Sequence, residues 1–326
     1  MTVTRERTGV QPSKGQRALG MAGAALVGVL LALQSRLNGA LGARLDDGLA
    51  AGVISFGGGF VVLAVCTAAI PSARRGVALL VTEVRGPDGL RAWQCLGGVC
   101  GGYLVFSQGM AASALGVALF TVAVVAGQVS SGLVVDRFGL GPGGPQRVTV
   151  ARMAGAALAV VAVVLSVSAQ LGGVHGSWLV VLPALAGIGL GWQAAVNGRV
   201  KQVAGSAVTA ATLNFAVGTL SLGLAFVLEL LVRGAPRAFP PQPWLYVGGL
   251  LGIFVIGGSV ALVRYTGVLL LSLGMIAGQL VGALLLDVFG PGVATSTVVG
   301  VLLTLVAVGV AALPDRAGRA ARGLPR

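Results

Sequence analysis

Charge is scarce in this chain. Only 10% of its 326 residues are charged, and only nine are Asp or Glu. Soluble domains carry about 25% charged residues, so an ordinary soluble fold is excluded. Histidine occurs once, as His175 in a short loop, which cannot build a zinc site or a His-based triad. The three cysteines, Cys66, Cys95 and Cys100, lie in or beside apolar runs without metal-ligand spacing. They read as small buried hydrophobes. No phosphate loop, nucleophile–base set or metal motif appears, so an enzyme is a distant reading and no cofactor is called for.

What the chain does have is apolar length. Hydrophobic residues make up 56% of it, and its mean hydropathy is +0.95. Lipid offers no partners to backbone N–H and C=O groups, so spanning segments are helices or a closed barrel. The apolar runs are about 20 residues long and do not alternate, which selects helices. Spans are expected near 18–38, 49–70, 92–112, 116–136, 149–168, 177–197, 207–230, 244–264, 267–287 and 295–313. Residues 1–17 and 314–326 read as basic, disordered tails. A basic start before an apolar run also fits a signal peptide, but span 1 has a twin in span 6 that a cleaved leader would not need. The 54 glycines would weaken soluble helices, whereas in lipid they let helices approach closely. Gly97-Gly98-x-x-Gly101-Gly102 is expected to mark such packing within the bundle.

The sequence repeats itself. Gln34-x-x-x-Asn38-Gly39 returns 159 residues later as Gln193-x-x-x-Asn197-Gly198. At an offset of 151, Trp93, Gly97 and Gly98 return as Trp244, Gly248 and Gly249. Ala126-Gly127-Gln128 returns as Ala277-Gly278-Gln279, and Asp136-x-Phe138-Gly139 as Asp287-x-Phe289-Gly290. Four landmarks in one order imply two homologous halves, 18–168 and 177–313, of five helices each. With the N-terminus inside, 18 of the 22 Lys and Arg fall on the inner side and four on the outer side. That bias predicts both termini in the cytoplasm. It makes the net charge of +13 a topology signal, not a nucleic-acid patch. An odd number of spans per half makes the repeats inverted. The expected fold is thus an all-α membrane protein of ten helices in two inverted five-helix repeats.

The Gln34-x-x-x-Asn38 pattern, the Ser55-Phe56-Gly57-Gly58-Gly59 run, the Trp-x-x-x-Gly-Gly start of span 3 and the Ala-Gly-Gln of span 4 resemble the YdcZ-like bacterial inner-membrane proteins. That family sits in the drug/metabolite transporter superfamily, in which members occur as five-span halves or ten-span fusions. The resemblance covers residues 18–313 and implies an exporter-like inner-membrane protein of the fused form, without implying a substrate. One departure matters. The small multidrug exporters of that superfamily carry a glutamate in the first span, where this chain offers Gln34 and Gln193. An amide cannot carry a proton at physiological pH, so their proton exchange does not transfer.

Polar groups within spans are costly and tend to face a cavity or the bundle interior. The candidates for substrate binding are Gln128 and Gln279 at mid-span, Gln34 with Asn38, and Gln193 with Asn197. Asn214 joins them, because it stands where the first half has Ser55, and so does Trp192 as a stacking face. Interhelical bonding or helix capping explains these amides equally well. Asp136 and Asp287, the symmetric carboxylates, are possible gate or coupling groups, although hydration or pairing with a nearby Arg is the plainer role. Arg36 either snorkels to the headgroups or faces a cavity. Pro183 sits at a first turn or kinks its helix. The expected function is a secondary transporter, by family analogy an exporter, of a small polar solute. The rival readings are a channel or facilitator and a non-transporting scaffold. The expected partners are a small-molecule substrate and the lipid bilayer, with the chain a monomer of two fused halves or a homodimer.

Overall fold

The computed structural model describes residues 13–86, 90–141, 144–145, 148–168, 177–290 and 292–313. His175 and most of both expected tails lie outside these residues. Among the described residues the chain is helical and has no strand. Helix α1 runs Lys14–Leu45, α2 Gly48–Ala69, α3 Pro71–Arg85 and α4 Gly97–Ser107. A π-helical turn, Gln108–Ala112, and the short α5, Ser113–Leu115, lead to α6, Val117–Arg137. Then come α7 (Val150–Ser168), α8 (Val181–Ala204), α9 (Ala207–Arg233), α10 (Gly248–Val288) and α11 (Thr295–Ala311). Among the described residues, eight helical segments are long and apolar enough to cross a membrane, and Gly248–Ser259 and Thr295–Ala311 are shorter apolar helices.

Two local features depart from the sequence reading, and a third, Pro183, takes one of its two expected places. Helix α1 begins inside the stretch taken as a tail, because Ser13 and Gln16 form a reciprocal cap with bonds of 3.2 and 2.8 Å. Residues 71–85, taken as loop, form an amphipathic helix opened by Pro71. Its buried positions Ala73, Gly76 and Leu80 recur at helical spacing, and the Thr209 hydroxyl donates to the Ala73 carbonyl at 2.9 Å. Pro183 sits in the first turn of α8, where its missing N–H costs nothing.

Helix α10 is one unbroken element of 41 residues, about 60 Å if straight. It is not straight. Gly248, Gly252 and Gly258 meet Asn38, Gln34 and Val27, whereas Gly274, Gly278 and Gly282 meet Ala24, Ala25 and Val29. The contacts run down α1 and then back up it. Ser259 Oγ lies 3.3 Å from Met275 Sδ, although sixteen residues of straight helix would separate them by about 24 Å. The chain therefore doubles back near Thr266–Gly274 without a loop, as the closeness of the runs expected at 244–264 and 267–287 requires.

The sequence repeat is also a repeat of contacts. A Cβ on Gly98 would collide with the backbone of α9 at Asn214 and Gly218, and one on Gly249 with α2 at Ser55 and Gly59. Gly28 abuts Met275 and Gln279, and its counterpart Gly187 abuts Val124 and Gln128. Each contact joins one half to the other, and each has a partner with the halves exchanged. Phe56 and Phe215 are equivalent positions, and their rings stack on each other at 4.6 Å and 19°. The Gly-Gly runs thus mark crossings inside the bundle, as expected.

Gly98→Val and Gly249→Val should each lower stability by about 1–3 kcal/mol or more, since a helix backbone cannot yield as a side chain can. Gly223→Ala, with open space around it, should be neutral or slightly stabilising. Thermal unfolding of the purified proteins checks both.

Candidate functional site

The buried amides collect in two clusters, one at each copy of the repeat. In the first, Asn38 Nδ2 donates to Gln108 Oε1 at 2.7 Å, and Gln108 Nε2 donates to Ser35 Oγ at 2.9 Å. Ser35 in turn donates to the Leu31 carbonyl at 3.1 Å. Asn38, Ser35, Gln108 and Gln34 are all buried. Sequence reasoning missed Gln108. Its counterpart is Ser259, so a search for repeated polar pairs passes over it. Its setting in a π-helical turn is a geometry common near functional sites.

In the second cluster, Gln193 Nε2 and Asn197 Nδ2 both donate to Asn214 Oδ1, at 3.1 and 2.9 Å. Residues 193 and 197 share a face of α8, and Asn214 meets them from α9. Thus Asn214 joins the Gln-Asn pair, and Gln108 joins Asn38 in the other half. The second cluster lines a cavity of about 240 Å³ between α8 and α9, with Lys201, Ala210, Ala211 and Ile256. In the first half the equivalent volume is filled. Gly39, Gly42 and Gly48 press against the π-helical turn at Ala112, Gly109 and Met110. One copy of the site is open and the other is sealed.

The remaining candidates fall elsewhere. Gln279 is buried and Gln128 half-buried, each beside the tight crossings at Gly28 and Gly187, and neither lines this cavity. Trp192 stacks on Trp93 with centroids 6.3 Å apart, so one of its faces is taken. A larger groove of about 440 Å³ lies between α3 and α9, lined by Val77, Leu80, Val81 and Leu213. Its walls are apolar and cannot orient a polar solute.

Each carboxylate meets a cation, in different settings. Asp287 is buried and accepts from the backbone N–H groups of Val117 and Ala118, at 3.1 and 2.7 Å. These are orphan donors at the start of α6, where negative charge is favoured. Gly116, at φ +80°, breaks the chain before α6 and leaves room that a Cβ would take from the carboxylate. Arg36 approaches Asp287 at 3.7 Å, so it reaches into the protein from its span. Asp136 pairs with Arg152, both about a third exposed. The partner is thus an arginine of α7 and not the adjacent Arg137.

Comparison with known proteins agrees with this architecture. A family model described as "Putative inner membrane exporter, YdcZ" matches residues 19–165 and again 178–312. No curated protein matches the chain. A solved crystal structure, described only as that of a protein, is 21% identical with a TM-score of 0.51. The match covers 92% of this chain and 97% of that one. At that identity the likeness speaks for the fold alone.

Asp287→Ala should cost about 2 kcal/mol or more, because two helix-terminal donors and a partly buried guanidinium lose their partner. Asp136→Ala, at a more exposed pair, should cost under about 1 kcal/mol. Thermal melts in detergent compare the two, and an equal loss would sink this account.

Proposed function

The chain belongs to the YdcZ family of inner-membrane proteins, and we propose that it is a secondary transporter exporting a small polar solute by alternating access. The observation that carries this reading is the unequal pair of equivalent sites. One amide cluster opens into a cavity and its twin is closed by a π-helical turn, as expected of one state of a two-state carrier. A channel would need a continuous polar path, and the sealed cluster speaks against one.

On this reading the protein crosses the bilayer ten times, counting α10 as a hairpin and α3 as an interfacial helix. The halves are inverted repeats and both termini are cytoplasmic. The exchanged contacts of the halves support the repeat, and the distribution of Lys and Arg supports the orientation. The ion pair of Arg237 with Asp46, at 3.1 Å, is consistent with placing the loops at 46–47 and 234–243 on one side. The cavity then opens at the end of α8, toward the cytoplasm, as loading for export requires.

Gln193, Asn197 and Asn214 are the proposed solute-binding groups in this state, with Trp192 at their margin. Gln34 and Asn38 take the same role when the other side opens. Asp287, Arg36 and Asp136 are proposed as hinge or gate groups, since Asp287 ties the end of α10 to the start of α6 and, through Arg36, to the middle of α1. Gln128 and Gln279 lie at the crossings about which the halves would move, and their role is proposed as secondary.

Metabolite profiles of medium and cytosol test this. Cells making wild type should accumulate an external solute that cells making Asn214→Ala at equal membrane levels do not. Export by Asn214→Ala at the wild-type rate would remove the proposed site, and its loss in the Gln128→Ala/Gln279→Ala variant instead would move the site there. Topology is checked by cysteine labelling after removal of the native thiols. Positions in 71–91 should resist an impermeant reagent in intact cells, and positions in 234–243 should react. The reverse pattern would refute the orientation.

A further inference from the structure

We propose that the transported solute is a small organic anion whose carboxylate is held by Lys201. The biological meaning of this inference rests on the transport reading above, but the binding it predicts does not. Gln193, Asn197 and Lys201 recur every four residues and line one cavity wall. Each step rises about 6 Å, so the wall passes from amide to ammonium over about 12 Å. The exposed lysine stands at the mouth and the half-buried glutamine lies deeper.

The hydrogen-bond inventory of this wall is unbalanced. Asn214 Oδ1 already accepts from both Gln193 and Asn197. Each primary amide keeps a second N–H, and the ammonium adds three more donors. None of the nine lining residues is acidic, so the lysine charge is not neutralised by the wall. A ligand that accepts and carries negative charge completes it. Gln193 Oε1 is enclosed and without a partner, so what this wall offers a solute is donors.

The neighbouring charge behaves differently. Arg199 donates to the Leu140 and Gly139 carbonyls, at 2.7 and 3.0 Å, and so anchors a loop. A phosphate dianion would want such a guanidinium beside it, whereas one lysine suits a single carboxylate charge. The counterpart of Lys201 in the first half is Gly42, packed against Gly109, so the charge belongs to the open site alone. A lysine in a last helical turn also suits the helix dipole and the inner leaflet. Those roles do not require it to line a cavity.

The test uses purified full-length protein in nanodiscs, probed at constant ionic strength with gluconate, malate and 4-hydroxybutyrate, and with their neutral amides. Tryptophan fluorescence and thermal stability report binding, since Trp192 adjoins Gln193. The wild type should respond to carboxylates and not to amides. Lys201→Gln should weaken the response about tenfold or more, and Lys201→Arg should largely retain it. No response, an equal response to acid and amide, or a Lys201→Gln protein that binds like wild type overturns the inference. In cells, solutes exported only with wild type should be carboxylates, and Lys201→Gln should reduce their export. Carboxylate binding without export would remove the transport reading and leave the anion site. Export of an uncharged solute, unchanged in Lys201→Gln, would do the reverse.

Discussion

Everything in this bundle depends on helix backbones coming into direct contact across its two halves. Within lipid there is no hydrophobic drive to press apolar helices together, so close packing and interhelical hydrogen bonds must hold them. At Gly28, Gly98, Gly187 and Gly249 a single methyl would strike the neighbouring backbone. These four contacts form two equivalent pairs, each linking one half to the other. Neither half buries its crossing faces alone. The stacked Phe56 and Phe215 rings fill the centre where the exchanged halves meet.

On that symmetric frame, function resides in the places where symmetry fails. Asn214 replaces Ser55, Lys201 replaces Gly42, and Gln108 has only Ser259 as its counterpart. The first two substitutions make one site polar and charged. The third supplies a side chain that fastens the π-helical turn over the other site through Asn38 and Ser35. On the transport reading proposed above, a fold of two like halves would have two states of similar energy, and small asymmetries would choose between them. The buried Asn38 Oδ1 and Ser55 Oγ, both without partners in the sealed site, weaken that seal. Unmet polar groups in a dry site favour any rearrangement that wets them.

Much of this was legible in the sequence because lipid makes composition informative. Hydropathy gave the helices, and the repeated Gln-Asn, Gly-Gly and Ala-Gly-Gln patterns foretold which segments correspond. The shared face of Gln193 and Asn197 follows from helical spacing, and Asn214 stood out because the repeat has Ser55 in its place. What could not be read were the interhelical partners. Gln108 is unremarkable until α1 lies beside it, and Asp287 resembles a surface carboxylate until the start of α6 meets it. The amphipathic helix at 71–85 was hidden by its short length and its arginines. The reversal at Tyr265-Thr266-Gly267 was legible as a break between two spans, but not that helix α10 continues through it.

The two repeated aspartates show how one inherited position takes two roles. Asp136 keeps a partly exposed Arg152 as its partner, a pairing that costs little to make or break. Asp287 is buried against a helix start and Arg36. Arg36 stands where the other half has Ala195. A carboxylate with a cation on one side and two backbone donors on the other is stable only while all three elements keep their places. The end of α10, the middle of α1 and the start of α6 are therefore locked together at one end of the bundle, next to the sealed amide cluster. The far end of α6 carries the looser Asp136–Arg152 pair. A movement that opened the sealed side would have to disturb Asp287.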